Sequence, residues 1–366
     1  MSDQTRKPSS GQQNNAVAPA EFAGGENADL TPYLRKLLSG ASLNTKETTQ
    51  AFEAMMTGVA SQGEMGAFLA LLATRTPTPE ELLGAARVMR AKVDHVESSV
   101  SPETLLDTAG TGGAPKTFNV STLAAIVAAA GGVVVAKHGN KSRTGRGSAE
   151  VLQAVGVNVD APIAVQGRAL EEAGICFCFA PRHHPATRHV MPVRKALGFP
   201  TIFNLLGPLT NPAGAGRQVI GVYEQRFLEP VAQTLLDLGT VRAAVMHSGD
   251  GYDEVSIGAA TDILHVQNKS INHERFEPKD VGIACQSMES LMAQDLEDAA
   301  AIFQAILDGQ DMGPRRDLTL MNAALALVVS EKANSMAEGV ELAGSLIDSG
   351  QSRAKLDALI TWSKGY

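Results

Sequence analysis

Between residues 30 and 100 the apolar positions recur in a helical rhythm. Phe52, Met55, Met56 and Val59, then Met65, Phe68, Leu69 and Leu72, fall at i, i+3, i+4 and i+7, so each run collects its large side chains on one helix face. The starts are marked as well. Thr31-Pro32 opens a first helix that Gly40 closes. Asn44 with Glu47, Ser61 with Glu64, and Thr78 with Glu81 each set an oxygen cap three residues before a glutamate, the spacing of a capping box. Helices of about three turns cannot bury such faces alone, so they are expected to pack as a small bundle with surface left for a partner subunit.

From Leu105 the texture changes. Short β-rich runs at Leu105–Ala109, Gly132–Lys137, Ile175–Phe179, Thr201–Leu205, Val219–Tyr223 and Ala243–His247 alternate with helical ones, which predicts a mostly parallel sheet flanked by helices. Thr261–Phe276 reads as a hairpin turning at Asn268-Lys269, and the rest of the chain as helices with Gly309 and Gly350 as C-caps. The expected fold class is α/β: a small helical-bundle domain over 29–100, then a larger α/β domain from 101. No internal repeat is visible.

Composition narrows the function. With 366 residues and 44% hydrophobic content, the chain suffices for two domains, and a net charge of -8 opposes general binding to nucleic acid or an anionic membrane. Any bound anion must therefore meet a local cluster of cations. The longest apolar stretch, Leu123 to Ala136, is interrupted by Gly131-Gly132 and falls short of the roughly 20 residues of a membrane span. Residues 1–28, rich in Gln, Asn, Ser and Ala without a signal-peptide core, are expected to be a disordered tail, and the compartment the cytosol. Of three cysteines, Cys176 and Cys178 share one strand face and read as buried thiols, fitting neither a disulfide framework nor a zinc site.

Four segments carry candidate chemistry. Leu105–Ala109 runs into Gly110-Thr111-Gly112-Gly113 and then Asn119-Val120-Ser121-Thr122 at the mouth of an apolar helix, where backbone N–H groups and the helix start favour a phosphate; a plain glycine-rich βα turn is the alternative. The segment Lys137–Ser148 follows a strand with four cations and three hydroxyls, either a phosphate-covering loop or a solvated basic one. Asp253-Glu254 suits magnesium, which takes few protein oxygens, or closes a turn begun at Gly249-Asp250-Gly251. Arg182, His183, His184, Arg188, His189 and Arg194 form a second basic group, in which neighbouring histidines diverge and no fourth ligand supports zinc. Arginine is the better grip on a carboxylate.

Taken in order, Gly110–Gly113, Thr117–Thr122, Lys137–Asn140, Arg182–Pro185, Asn204–Pro212 and Gly251–Glu254 resemble the anthranilate phosphoribosyltransferases of tryptophan biosynthesis, from about Leu30 to the C-terminus. The resemblance implies a dimer formed through the helical domain. It also implies transfer of ribose 5-phosphate from phosphoribosyl pyrophosphate (PRPP) to the anthranilate amine, with Mg2+, in a cleft between the domains. It assigns residues 182–198 to the helical domain, leaving 101–181 and 199–366 to the α/β domain. Carried over, Gly110, Gly113, Ala114, Thr117, Asn119, Val120, Ser121 and Thr122 would line the PRPP site, with Lys137, Lys141, Ser142, Arg143, Thr144, Gly145 and Ser148 closing over its phosphates. Ser121, Asp253 and Glu254 would hold magnesium. Gly110, Asn140, His184, Arg194 and Pro208 would meet anthranilate, Arg194 pairing with its carboxylate, and His138 is a candidate for proton removal or for positioning the loop.

The chain departs from the family pattern at two places on the PRPP side. Ala114-Pro115 replaces the usual aspartate in a turn one residue short, and the basic loop is also about one residue short, with Arg143 and Arg146 at small or hydroxylated positions. Rival readings are a nucleoside phosphorylase of similar fold and a non-catalytic nucleic-acid-binding paralogue. Arg194 and Asn204–Pro212 weigh against the first, the acidic charge and Asp253-Glu254 against the second.

Overall fold

A computed structural model describes residues 29–365; the expected tail over 1–28 lies outside them. The helical layer comprises α1 (Thr31–Leu38), α2 (Thr45–Met56), α3 (Gln62–Ala73) and α4 (Pro79–Ala91). All three capping boxes form: Asn44 Oδ1 accepts the Glu47 N–H at 2.9 Å while Glu47 accepts that of Asn44 at 2.8 Å, and Ser61/Glu64 and Thr78/Glu81 repeat the exchange. At α1 the N-cap is Leu30 rather than Thr31, and Asp29 accepts the Thr31 N–H instead. Phe52, Met55, Phe68 and Leu69 are fully buried, whereas Val59 falls beyond the end of α2 and is exposed. Gly84 lets α4 close on α2: a Cβ there would lie 2.6 Å from the Thr45 carbonyl.

The sheet contains β1 (Leu106–Asp107), β2 (Val135–Gly139), β3 (Ile175–Phe179), β4 (Arg217–Gly221), β5 (Arg242–Ser248), β6 (Thr261–Gln267) and β7 (Ser270–Phe276), in the order β3-β2-β1-β4-β5-β6-β7. The first five are parallel, and β6 and β7 add an antiparallel hairpin whose turn residues Asn268 and Lys269 adopt φ of 50° and 58°. Thr201–Leu205, expected as a strand, is instead part of a short helix. Asn204 folds back so that its Oδ1 accepts the Thr201 N–H at 3.2 Å, and that closure starts a turn.

The remaining helices are α5 (Val120–Ala130), α6 (Ser148–Ala154), α7 (Ile163–Glu172), α8 (Ala180–His183), α9 (Met191–Leu197), α10 (Ile202–Leu206), α11 (Leu228–Asp237), α12 (Leu296–Leu307), α13 (Pro314–Val329), α14 (Met336–Asp348) and α15 (Gln351–Ser363). Alternation along the strands divides the core. Val219 and Met246 face α5 and α13, while Ile220 and Val245 face α11 and, beyond it, α4 of the helical layer. The most apolar stretch of the chain is therefore a central core helix, and no described helix is long and apolar enough to cross a membrane. Pro185–His189 packs against α2 and α9 against α3, with Val193 3.7 Å from the Cβ position of Gly66.

Candidate active site

Beyond the carboxyl ends of the parallel strands opens a cleft of about 1580 Å³. It spans β1 and β4, where the strand order reverses direction, the usual ligand position in an open α/β sheet. Met89 of α4, Arg194 of α9 and Phe203 of α10 form part of one wall; the glycine turn, the basic loop and the acidic pair form the other.

The glycine turn passes Gly112 and Gly113 at φ of 59° and 107°, a path that a side chain would strain. Thr111 ties it to β4, its N–H donating to the Gly221 carbonyl at 2.9 Å and its hydroxyl accepting from the Tyr223 N–H. Gly221 is itself required, because a Cβ there would lie 1.8 Å from the Asp253 carbonyl oxygen. Asn119 caps α5 in the left-handed region (φ 68°), a conformation asparagine tolerates, and its side-chain amide donates to the Arg146 carbonyl at 3.2 Å.

Next to the glycine turn, Thr117 donates its hydroxyl to the two Glu254 oxygens at 3.0 and 3.1 Å. Asp253 and Glu254 are half-buried along the cleft, and neither forms an ion pair with a described side chain. Burial raises Asp253 to about 6, against the pull of Lys116 and His247; burial and then Asp253 raise Glu254 to about 8. Two adjacent carboxylates short of positive charge fit a hard divalent cation. No group of three or more His, Cys, Asp or Glu suited to a metal occurs among the described residues, so a cation here must complete its shell with ligand oxygens and water.

The Lys137–Ser148 loop is folded on itself. Ser142 and Thr144 share a hydroxyl contact of 3.0 Å, Glu150 accepts the Ser142 and Gly147 N–H groups, Arg143 reaches the Gly198 carbonyl beside α9, and Arg146 reaches the Ala293 carbonyl. Lys137, expected over the phosphates, lines the cleft but donates its ammonium to the Thr108 carbonyl at 3.1 Å; burial lowers it to about 8 although Asp107 opposes the shift.

His138 Nδ1 lies 3.0 Å from the Gly207 carbonyl, which can only accept, so the proton sits on Nδ1 and His138 Nε2 accepts from His184 Nε2 at 3.2 Å. Burial and the facing ring keep His138 neutral, well below its usual range; burial, then His183, lowers His184 to about 4. The neighbouring histidines diverge as expected, His183 bonding Asp94 and Gln166 away from His184. Arg194 stacks 4.9 Å above the Phe203 ring; burial and then Arg143 lower it to about 10.

Most of the residues singled out from the sequence meet in this one cleft: Gly110, Gly113, Ala114, Thr117, Asn119, Ser121, Lys137, His138, Asn140, Lys141, Ser142, Arg143, Thr144, Ser148, His184, Arg194, Asp253 and Glu254. Of the residues the resemblance assigned, four do not line it, and of the second basic group Arg182, His183 and His189 lie outside it. Val120 is buried in the core, Thr122 has a buried hydroxyl without a hydrogen-bond partner among the described residues, Gly145 sits at the outer bend of its loop, and Pro208 is buried with its carbonyl accepting from Gln218. Sequence reasoning passed over four others. Asp107 holds the His138 and Ala109 N–H groups at 3.1 Å and the Asn211 amide at 2.8 Å, and its signal was a lone carboxylate inside an apolar strand. Asn211 stands out in the sequence only as part of a motif. Phe203, the floor under Arg194, and Lys116, on the cleft lining, have no local signal.

The chain is similar to known proteins along most of its length. The α/β domain of a glycosyl transferase family matches residues 102–353, and the helical bundle domain of a glycosyl transferase family matches residues 31–93. An anthranilate phosphoribosyltransferase from Azorhizobium caulinodans is 44% identical over 330 residues, 90% of this chain and 95% of that protein. One from Xanthobacter autotrophicus is 43% identical over 338 residues, covering 92% and 97%. Among solved structures, the Thermus thermophilus anthranilate phosphoribosyltransferase has a TM-score of 0.85 at 39% identity, over 91% of this chain and 99% of that one. The Saccharomyces cerevisiae enzyme in complex with PRPP and Mg has a TM-score of 0.83 at 26% identity, over 92% and 98%.

Proposed function

The chain belongs to the anthranilate phosphoribosyltransferases, which transfer the phosphoribosyl group of PRPP to anthranilate, and we propose that both substrates meet in the cleft between its two layers. The observation that carries this reading is that the glycine turn, the uncompensated Asp253-Glu254 pair and the Phe203-stacked Arg194 converge on one cavity.

In the transfer, a C–N bond forms at the ribose anomeric carbon as the C–O bond to pyrophosphate breaks. The enzyme's task is to hold the departing charge and align a weak aniline nucleophile. Gly110, Gly113, Ala114, Thr117, Asn119 and Ser121 form the PRPP wall, backed by Val120 and Thr122 from the first turn of α5; Lys141, Ser142, Arg143, Thr144, Gly145 and Ser148 cover the phosphates. Asp253 and Glu254, with Ser121, would hold Mg2+, which when bound supplies positive charge against the pyrophosphate. Arg194 receives the anthranilate carboxylate, with Asn140, His184 and Gly110 around the ring and Pro208 supporting from behind. His138, with both nitrogens engaged, positions the loop. The aromatic amine sheds its proton to water readily once alkylated, so no strong base is needed.

Residues 29–100 with 182–198 act as the domain that brings Arg194, and 101–181 with 199–366 as the domain that brings the PRPP wall. This division is supported by the packing of Pro185–His189 and α9 on α2 and α3. Two copies associate through the helical layer.

Purified protein with Mg2+, PRPP and anthranilate should consume anthranilate fluorescence; no consumption across a broad PRPP range would sink the assignment. Arg194→Ala should raise the anthranilate KM on the order of tenfold or more, the cost of a lost charge-assisted hydrogen bond, while sparing that for PRPP. Equal loss of both would contradict the role of Arg194.

A further inference from the structure

Lys116 is the cation of the PRPP wall that the mechanism above leaves unused. It lines the cleft, half-buried, and its ammonium makes no hydrogen bond or ion pair with a described side chain. The charged groups that act on it come from three segments: Glu150 of α6, Asp253 after β5, and Arg146 of the basic loop. Of the other cations that line the cleft, Lys141, Arg188 and Lys195 also make no side-chain hydrogen bond or ion pair with a described residue, and four are engaged. Lys137 is bonded to Thr108, Arg143 to Gly198, Arg146 to Ala293, and Arg194 lies over Phe203.

The backbone fixes Lys116 from both sides. Pro115 restricts the approach from the glycine turn. Immediately after it, Thr117 is anchored twice, its hydroxyl on Glu254 and its carbonyl accepting the Ala293 N–H at 3.0 Å. Because Ala293 also receives Arg146, the basic loop and Thr117, and through Thr117 Glu254, share one anchor. Charge on Lys116 lies on the cleft lining, between the glycine turn and Thr117, the residue whose hydroxyl holds Glu254. Desolvation weakens its hold on the proton, and an incoming polyanion would restore it.

We propose that Lys116 binds the pyrophosphate group of PRPP and of the released product, supplying at the shortened turn a fixed positive charge that does not depend on a divalent cation. The substrate named here rests on the functional reading above; the pyrophosphate contact is testable separately.

The test is calorimetric titration of inorganic pyrophosphate into the full-length chain, with and without EDTA. Wild type should bind pyrophosphate in EDTA, and Lys116→Met should weaken that binding roughly tenfold or more, with Lys116→Arg restoring part of it. Lys116→Gln serves the same purpose should the methionine variant fold poorly, folding being checked by circular dichroism. The proposal is overturned if wild type binds no pyrophosphate without metal, or if the neutral variants bind it as wild type does. Turnover of PRPP and anthranilate by the same wild-type preparation separates the two readings: metal-free pyrophosphate binding without turnover counts against the assigned reaction and leaves Lys116 standing, whereas turnover with unaltered pyrophosphate affinity in the variants does the reverse.

Discussion

Asp253 and Glu254 show how one pair of side chains writes a pH dependence into the protein. Their folded pKa values, about 6 and about 8, lie above the ordinary values of 3.8 and 4.5, with burial the first cause in each. Between those ordinary values and the raised ones, the folded chain binds more protons than the unfolded chain. Stability from this pair is therefore greatest at acid pH and falls as pH rises through about 8. The buried histidines act in the opposite sense: His138 and His184 have lowered pKa values, so their neutral forms favour folding above the usual histidine range and lose that contribution as pH falls. A divalent cation isolates the carboxylates, because it must displace their protons and relieves their repulsion. The thermal midpoint should thus rise more on adding Mg2+ at pH 8 than at pH 5.5, and Glu254→Gln should flatten that difference. An Mg2+ gain equal at both pH values, or larger at pH 5.5, would count against a cation at this pair.

Among the elements, α4 shows what the capping signals contributed. Glu81 closes the capping box of α4, accepting the Thr78 N–H at 2.9 Å, yet it is also fully buried. There it accepts the Leu43 N–H at 2.9 Å from the preceding connection and a two-pronged contact from Arg75. Removing it would leave two N–H groups and the partly exposed Arg75 guanidinium without their partner, so Glu81→Ala should destabilise the protein by about 2–4 kcal/mol, against about 1 kcal/mol for the loss of a cap alone. Denaturant unfolding would measure this, and a loss near 1 kcal/mol would show the buried network to be weak. The sequence made the caps legible because they are local chemistry at fixed spacing. It made the sheet legible where apolar runs were long enough, as at β3, which spans the expected Ile175–Phe179. It misled at Thr201–Leu205, where an asparagine side chain folding back on the backbone outweighed β propensity. β1 is only two residues long, so its importance comes from Asp107, whose partners His138 and Asn211 are 31 and 104 positions away. The stacking of Arg194 on Phe203 and the hold of Thr117 on Glu254 are likewise products of tertiary packing. No window of sequence contains them.

At the scale of the whole molecule, the two layers share a core. Phe52, Phe68 and Met89 of the helical layer belong to the same apolar cluster as Ile220 and Val245 of the sheet, so one continuous core spans both layers. With its inner surface committed to the sheet, the helical layer can meet a second copy only through its outer surface. That surface leaves Leu38 71% and Val59 44% exposed, although most large apolar side chains of this layer are buried. Short amphipathic helices with such residues left over are what a two-fold interface would use, since the same patch on each copy would cover the other. Sedimentation velocity should accordingly find a species of about twice 38.3 kDa, and Leu38→Glu should shift it toward the single-chain mass while circular dichroism stays unchanged. A single-chain mass for wild type at every concentration would remove the dimer. A dimer indifferent to Leu38→Glu would move the contact away from the end of α1.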